Sequence, residues 1–308
     1  MEKILITGGL GHIGSQLIHD LQDVEAIDHV TVVDDLSAES SAPPEHFSDL
    51  DLHIRPFQSL TEDDLEKFTT VVHLAAITDA AGSFEREDEI KKVNIDDTLS
   101  FFQKCRVAKV AHLIWPSSTS VYGKGQKVMY EHEDNILPQS PYAESKVRVE
   151  DTLIKYNTTK LPSETKSTIL RFGTIFGLTK GIRFHTAINK FCNQVNSCDC
   201  LTVWKENYHH KRPYLGVKDA SRAIQMSIDG HLDSGIYNVV TKNYELAEII
   251  DIIKSKTDKD VDVEFIDTPL LNQHTYEVAC DKIISSGWAP LDDLGDAIKE
   301  TLEYLEKC

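Results

Sequence analysis

A hydroxyl-rich run, Ser117-Ser118-Thr119-Ser120-Val121-Tyr122-Gly123, follows an apolar strand and is answered, 24 residues after Ser118, by Tyr142-Ala143-Glu144-Ser145-Lys146. A tyrosine and a lysine four apart share one helix face, where the ammonium can approach the phenol and lower its pKa. A hydroxyl at the strand end can hold the substrate oxygen whose proton the phenol takes or returns. Such a set can act as an acid/base site near neutral pH, provided a hydride acceptor is bound beside it.

The elements that must supply that acceptor come first in the chain. Residues 3–7 read as a β-branched apolar strand, followed by Gly8-Gly9-Leu10-Gly11-His12-Ile13-Gly14 and a helical pattern at Ile13, Leu17, Ile18 and Leu21. Strand, glycine turn and helix present unpaired N–H groups to a pyrophosphate, with a plain structural turn as the alternative. A second strand at 29–33 ends in Asp34-Asp35, about 20 residues past the last glycine. Asp34 is placed to accept from an adenosine ribose, or merely to cap its strand. A carboxylate there with no arginine after it favours NAD over NADP.

Residues 37–50 read as a surface loop, and a third strand runs near 52–56. A fourth, Thr70-Val71-Val72-His73-Leu74-Ala75-Ala76, ends in small residues that let a dinucleotide lie against the backbone. Helices around 85–107, containing Asn94, precede the strand 110–115 that leads into the serine run. This alternation predicts an α/β fold with a doubly wound parallel sheet and its ligands at the strands' carboxyl ends. Glu131, Glu133 and Asp134, in the polar loop after Gly123, are assigned to solvent. Beyond 178, apolar spacing at Ile188, Phe191 and Val195 marks a helix, 201–204 a strand, 218–221 the start of another helix, 236–240 a strand, and 246–256 and 294–306 helices.

Composition bounds the function. The chain has 308 residues, 41% hydrophobic and 27% charged, as in ordinary globular proteins. No apolar run approaches the roughly 18 residues of a spanning helix, and the N-terminus passes straight into strand and turn, so a cytoplasmic location without membrane attachment is expected. A formal charge of −18 repels nucleic acid, so an anionic small substrate needs a few placed cations. Six cysteines lack the spacing of a disulfide framework. Cys192, Cys198 and Cys200 with His209 and His210 invite a zinc reading, but their spacing is not a usual zinc pattern, and reduced thiols with no metal are expected.

Taken together, Thr7 to Gly14, Asp34, His73 to Ala76, Ser117 to Gly123 and Tyr142 to Lys146 resemble the extended short-chain dehydrogenase/reductases. More narrowly, the chain is similar to the NAD-dependent epimerase/dehydratase family acting on nucleotide sugars. The likeness continues through Leu170 to Gly177, Lys211 to Ala220 and Gly287-Trp288-Ala289-Pro290. It implies an NAD-binding Rossmann domain over 1–172 with returning segments at about 214–242, and a smaller substrate lobe from 173–213 and about 243–308.

The resemblance makes Tyr142 the acid/base, Lys146 its partner and a ribose ligand, and Ser118 the hydroxyl on the reacting oxygen. It places Gly8, Gly11, His12, Ile13, Gly14, Asp34, Gln58, Ser59, Leu74, Ala75, Ala76, Asn94 and Phe172 at the cofactor. Thr78, Thr119, Thr174 and His274 fall to the substrate, and Arg212 to its diphosphate. Arg183 and Asn189 are assigned to the nucleotide end, with packing as the alternative.

Four departures from the family pattern involve six positions. Gln58 replaces an Asp near the adenine, Thr174 and Gly216 replace an Asn and a His, and His274 stands where a second substrate arginine is common. Thr119-Ser120 fill the place of the Asp-Glu pair of sugar 4,6-dehydratases. The expected activity is therefore a nucleotide-sugar 4-epimerase working through a 4-keto intermediate, with a 4-oxidase or 4-keto-reductase as the alternative and a non-catalytic NAD sensor after that. A homodimer is expected through helices around 85–107 and 142–157, with Phe101, Phe102, Val149 and Leu153 available to the interface or, as the alternative, to ordinary core.

Overall fold

The computed structural model describes residues 3–22, 29–38, 40–79, 82–123, 128–133, 136–158, 165–267 and 275–307. His274, Lys124 and Asp134 lie outside the described residues.

Seven parallel strands form the main sheet, in the spatial order Asp51–Ile54, Val30–Asp34, Ile4–Thr7, Thr70–His73, His112–Ser118, Lys166–Phe172 and Gly235–Val239. The chain reverses its winding at Ile4–Thr7, which pairs with Val30–Asp34 on one side and Thr70–His73 on the other. A doubly wound sheet binds its ligands at the carboxyl ends beside such a reversal. Ile4–Thr7, Val30–Asp34 and Thr70–His73 are buried at every position, as strands covered on both faces must be.

Alternation along the strands divides the core between the two faces. Ile4, Ile6, Val30 and Val32 pack with Leu17, Ile18, Ala220 and Ile224 of helices His12–Gln22 and Val217–Ile228. Leu5, Val33, Leu113 and Trp115 pack with Phe101, Phe102, Val149 and Leu153 of helices Thr98–Val107 and Pro141–Thr158. Of the two roles open to those last four residues, interface or core, they take the core: all are buried in the chain itself.

The strand expected to end at Trp115 continues to Ser118, which brings the serine run onto the sheet edge. Between the short helix Glu87–Ile90 and Thr98–Val107 the chain winds as a π-helix, Lys91–Asp97, a local widening often associated with functional sites.

A third core gathers Phe176, Ile188, Phe191, Val203, Tyr214, Ile249 and Ile298. Around it stand Thr174–Phe176, Lys211–Gly216 and Lys242–Glu245 as one small sheet, and Leu201–Trp204 paired with Val263–Ile266 as another. Residues Tyr276, Val278, Ile283 and Trp288 pack into the main-sheet core instead, so the chain returns to the first body before its last helix, Leu294–Leu305. Among the described residues no helix is long and apolar enough to cross a membrane.

Candidate functional site

A cleft of about 530 Å³ runs from the glycine turn, past Ser118, Tyr142 and Lys146, to a far wall carrying Trp204, Arg212 and Tyr276. The turn is shaped by close backbone approach. Gly8 has φ +70, and a Cβ on it would stand 2.5 Å from the Ala75 nitrogen. A Cβ on Gly14 would stand 2.5 Å from the Gly9 carbonyl oxygen. Only glycine fits either place, which leaves the start of helix His12–Gln22 free to face a diphosphate.

Asp34 underlies the turn. Its carboxylate accepts from the N–H groups of Leu10 and Leu36, each at 2.9 Å. Burial nevertheless raises its pKa, the two N–H bonds opposing the shift. Gly11, His12, Ile13, Leu74, Ala76 and Phe172 line the cleft.

His12 ties the turn to the lobe: its Nε2 lies 2.8 Å from the Gly177 carbonyl oxygen. Burial pushes its pKa down to about 4, and burial with the nearby Lys146 pushes that of His73 down to about 3. Both imidazoles are neutral in the fold. Their contribution to stability is complete above the unfolded value of 6.5 and is lost as pH falls toward the folded values. At about 1.4 kcal/mol per pKa unit, His12 alone forfeits roughly 3 kcal/mol by pH 4. The urea midpoint should therefore fall steeply between pH 6.5 and 4, and less steeply in His12→Gln; parallel curves would remove His12 from the effect.

Tyr142, Lys146 and Glu150 recur at every fourth position on one face of helix Pro141–Thr158. Lys146 Nζ donates to the Pro116 carbonyl at 2.8 Å and sits 4.5 Å from the Trp115 ring centroid and 5.6 Å from that of Tyr142. The expected lowering of the phenol pKa by Lys146 is corrected here, because burial dominates. It pushes Tyr142 up to about 12, against the opposing pull of the Ser118 side chain and the Arg183 charge. Burial also brings Lys146 down to about 7, with Glu150 opposing.

Strand alternation splits the two serines of the run. Ser118 faces the cleft, where its Oγ accepts from Ser120 N–H at 3.1 Å, while Ser117 Oγ donates to the buried Glu150 carboxylate.

Several expected ligands serve the scaffold. Asn94, in the π-helix, takes the Ile77 N–H at 2.9 Å and donates to its carbonyl at 2.8 Å, clamping the exit of Thr70–His73 without lining the cleft. Asn189 is fully buried, accepting from Gly177 N–H at 3.2 Å and donating to the Arg183 carbonyl at 3.0 Å, so its amide braces a loop, the packing role left open for it. Gln58 donates to Asp97 at 3.0 Å while its Oε1 is buried without a partner, and the exposed Ser59 hydroxyl turns back to Pro56. Ala75 supplies the backbone beneath Gly8.

Thr78, Thr119, Thr174, Arg183 and Arg212 line the cleft, Arg212 with its guanidinium 5.2 Å from the Tyr276 ring centroid. Sequence reasoning missed Asn207 and Thr186 on the same wall and offered His210 only to a zinc reading; each has a buried polar atom with no partner among the described residues. Asn207 and His210 lie three apart on one turn, joined by the His210 N–H to the Asn207 carbonyl at 2.9 Å, while Thr186 comes from a separate segment before helix Ala187–Asn196. Ser120 Oγ is likewise buried and unpartnered at the cleft. Among the described residues no three His, Cys, Asp or Glu side chains gather as a metal-ligand set.

Similar proteins match nearly the whole of this chain. The chain is 26% identical to an ADP-L-glycero-D-manno-heptose-6-epimerase of Brachyspira hyodysenteriae, covering 99% of this chain and 98% of the relative. It is also 26% identical to a human dTDP-D-glucose 4,6-dehydratase, over 98% of this chain and 89% of the relative. A UDP-glucuronic acid 4-epimerase from Bacillus cereus, solved with UDP-glucuronic acid and NAD, superposes with a TM-score of 0.87 at 21% identity, covering 99% of each chain. The model of the NAD-dependent epimerase/dehydratase family matches residues 4–239, the span from the first strand to the last strand of the main sheet, and the chain belongs to that family of NAD-dependent enzymes.

Proposed function

We propose that the protein is an NAD-dependent epimerase acting at carbon 4 of a nucleotide-linked sugar. The observation that carries this reading is the convergence of Ser118, Tyr142 and Lys146 on the cleft beside the glycine turn, with hydroxyls rather than an acid pair at Thr119 and Ser120.

The residues fit NAD. The turn has no room for side chains at Gly8 and Gly14, Asp34 underlies the turn as a ribose acceptor would, and Phe172 lines the cleft. NAD supplies the acceptor and donor of the hydride. Tyr142 takes the proton from the sugar hydroxyl and returns it, while Ser118 holds the same oxygen. Lys146, fixed by the Pro116 carbonyl, keeps its nitrogen on the Tyr142 face of the helix, 5.6 Å from the ring centroid. Arg212, stacked at Tyr276, supplies a planar fork for the substrate diphosphate. Elimination of water needs a general acid that Thr119 and Ser120 do not provide, which favours epimerisation over dehydration. Because Asp34 opposes a 2′-phosphate, NAD should bind at least about tenfold more tightly than NADP by calorimetry. The reverse order would remove Asp34 from the ribose.

Mass spectrometry of the protein incubated with ADP-, UDP-, GDP- and dTDP-sugars, with and without added NAD, tests the reaction. An isomer of unchanged mass is expected. Loss of two hydrogens would establish oxidation, and loss of water would establish dehydration. We infer a cytoplasmic enzyme and a homodimer. With Phe101, Phe102, Val149 and Leu153 committed to the core, pairing through the same helices rests on Val107 and Ile154, which are 50% and 37% exposed. A monomer by light scattering at micromolar concentration overturns the dimer.

A further inference from the structure

The loop from Gly177 to Arg183 is fastened to the glycine turn. The Gly177 carbonyl meets His12 Nε2, the Gly181 N–H donates to Ser15 Oγ at 3.2 Å, and a Cβ on Gly181 would stand 2.5 Å from the Leu10 carbonyl oxygen. Asn189 fixes the same loop from the other side through Gly177 N–H and the Arg183 carbonyl. So held, the loop carries Arg183 onto the turn. Its Nη2 lies 3.5 Å from where a Cβ of Gly11 would stand, its Nη1 donates to Thr78 Oγ1, and its charge acts on both Asp34 and Tyr142.

A guanidinium there is poorly matched to its own protein. It faces the start of helix His12–Gln22, whose free N–H groups carry partial positive charge, and burial pulls its pKa below the ordinary arginine value. Of its five N–H donors, one is used among the described residues, on Thr78. Asp34, which offsets it electrostatically, already accepts from two backbone N–H groups. An anion at the helix start satisfies the guanidinium and the helix together.

We infer that Arg183 completes the cofactor's diphosphate site from the lobe side, opposite the N–H groups of the glycine turn, instead of gripping the nucleotide end of the sugar substrate. The inference rests on NAD being the cofactor. It makes the loop 177–183 half of the cofactor site, so that NAD binding fastens the lobe to the sheet.

Calorimetry with NAD, ADP-ribose, AMP and UDP on the wild type, Arg183→Ala and Arg183→Lys tests it. Arg183→Ala should weaken NAD and ADP-ribose, which share the diphosphate, by about 10- to 100-fold, as expected for losing charge-assisted hydrogen bonds. AMP and UDP should change by less than about twofold, and Arg183→Lys should recover part of the loss as a point charge. The fall of NAD affinity with added salt should be shallower in Arg183→Ala. Unchanged NAD and ADP-ribose binding overturns the inference, as does loss of UDP binding with NAD retained. If Arg183→Ala does not fold, Arg183→Lys is judged on the same comparison, with NAD weakened and UDP spared. Wild-type protein that binds no NAD overturns the functional reading and this inference together, whereas equal NAD binding by wild type and variants overturns this inference alone.

Discussion

Tyr142→Phe should lower turnover by about two to four orders of magnitude while leaving the fold and NAD affinity intact, the scale expected for losing a positioned general acid/base. The substitution removes one oxygen. The ring keeps its place on helix Pro141–Thr158, and Ser118, Lys146 and the glycine turn are untouched. Burial holds the phenol at about 12 and Lys146 at about 7. The base form is the deprotonated one, so kcat/KM limited by proton removal should rise with pH through the neutral range. Tyr142→Phe should flatten that rise as well as lower it. Turnover of the variant equal to wild type assigns the proton transfer to another group, and an unchanged pH profile at reduced rate makes Tyr142 a packing residue.

The parts of this site that were legible in sequence are those whose chemistry is local. Gly8 and Gly14 are needed because backbone lies within a bond's reach of where their side chains would be, and such a turn leaves a mark in consecutive residues. Tyr142 and Lys146 share a helix face by spacing alone. For Asn94 and Asn189 the sequence leaves the role open, because an asparagine near a cleft looks the same whether its amide meets a ligand or, as in the structure, the backbone of Ile77, Gly177 and Arg183. Glu131, assigned to solvent, accepts the Asn238 N–H at 2.9 Å across more than 100 residues of chain. The far wall was hidden for the same reason, since Trp204, His210 and Tyr276 meet only once the lobe has folded. The outlying motifs gain a reason from the structure. Asp219 is fully buried and accepts from Thr241 and from the Leu291 and Asp292 N–H groups, while the Trp288 indole donates to its carbonyl at 3.3 Å. The segment Gly287 to Pro290 is thus anchored to the start of helix Val217–Ile228.

Arg171→Met should destabilise the protein by about 3–5 kcal/mol, because it strands a buried carboxylate. Arg171 meets Glu150 through Nε at 3.0 Å and Nη2 at 2.7 Å, both side chains being 2% exposed. Ser117 donates to the same carboxylate, and Arg171 Nη1 donates to the Tyr122 hydroxyl at 2.9 Å, which in turn donates to Asn238 Oδ1 at 2.6 Å. Ser117 and Arg171 are register partners in adjacent strands, so the fork is aimed by the sheet itself. Glu150→Gln combined with Arg171→Met removes both charges, and urea denaturation should show the pair recovering much of the loss. A double variant as unstable as the sum of the single ones would assign the loss to packing. The pair also reaches the catalytic helix. Glu150 opposes the downward shift of Lys146, so Glu150→Gln should lower the Lys146 pKa below about 7 and move its limb of the pH–rate profile toward acid. Ser117 and Ser118 are neighbours on one strand, one bonded to this ion pair and the other facing the cleft. The buried charges thereby fix the strand end from which Ser118 reaches the substrate.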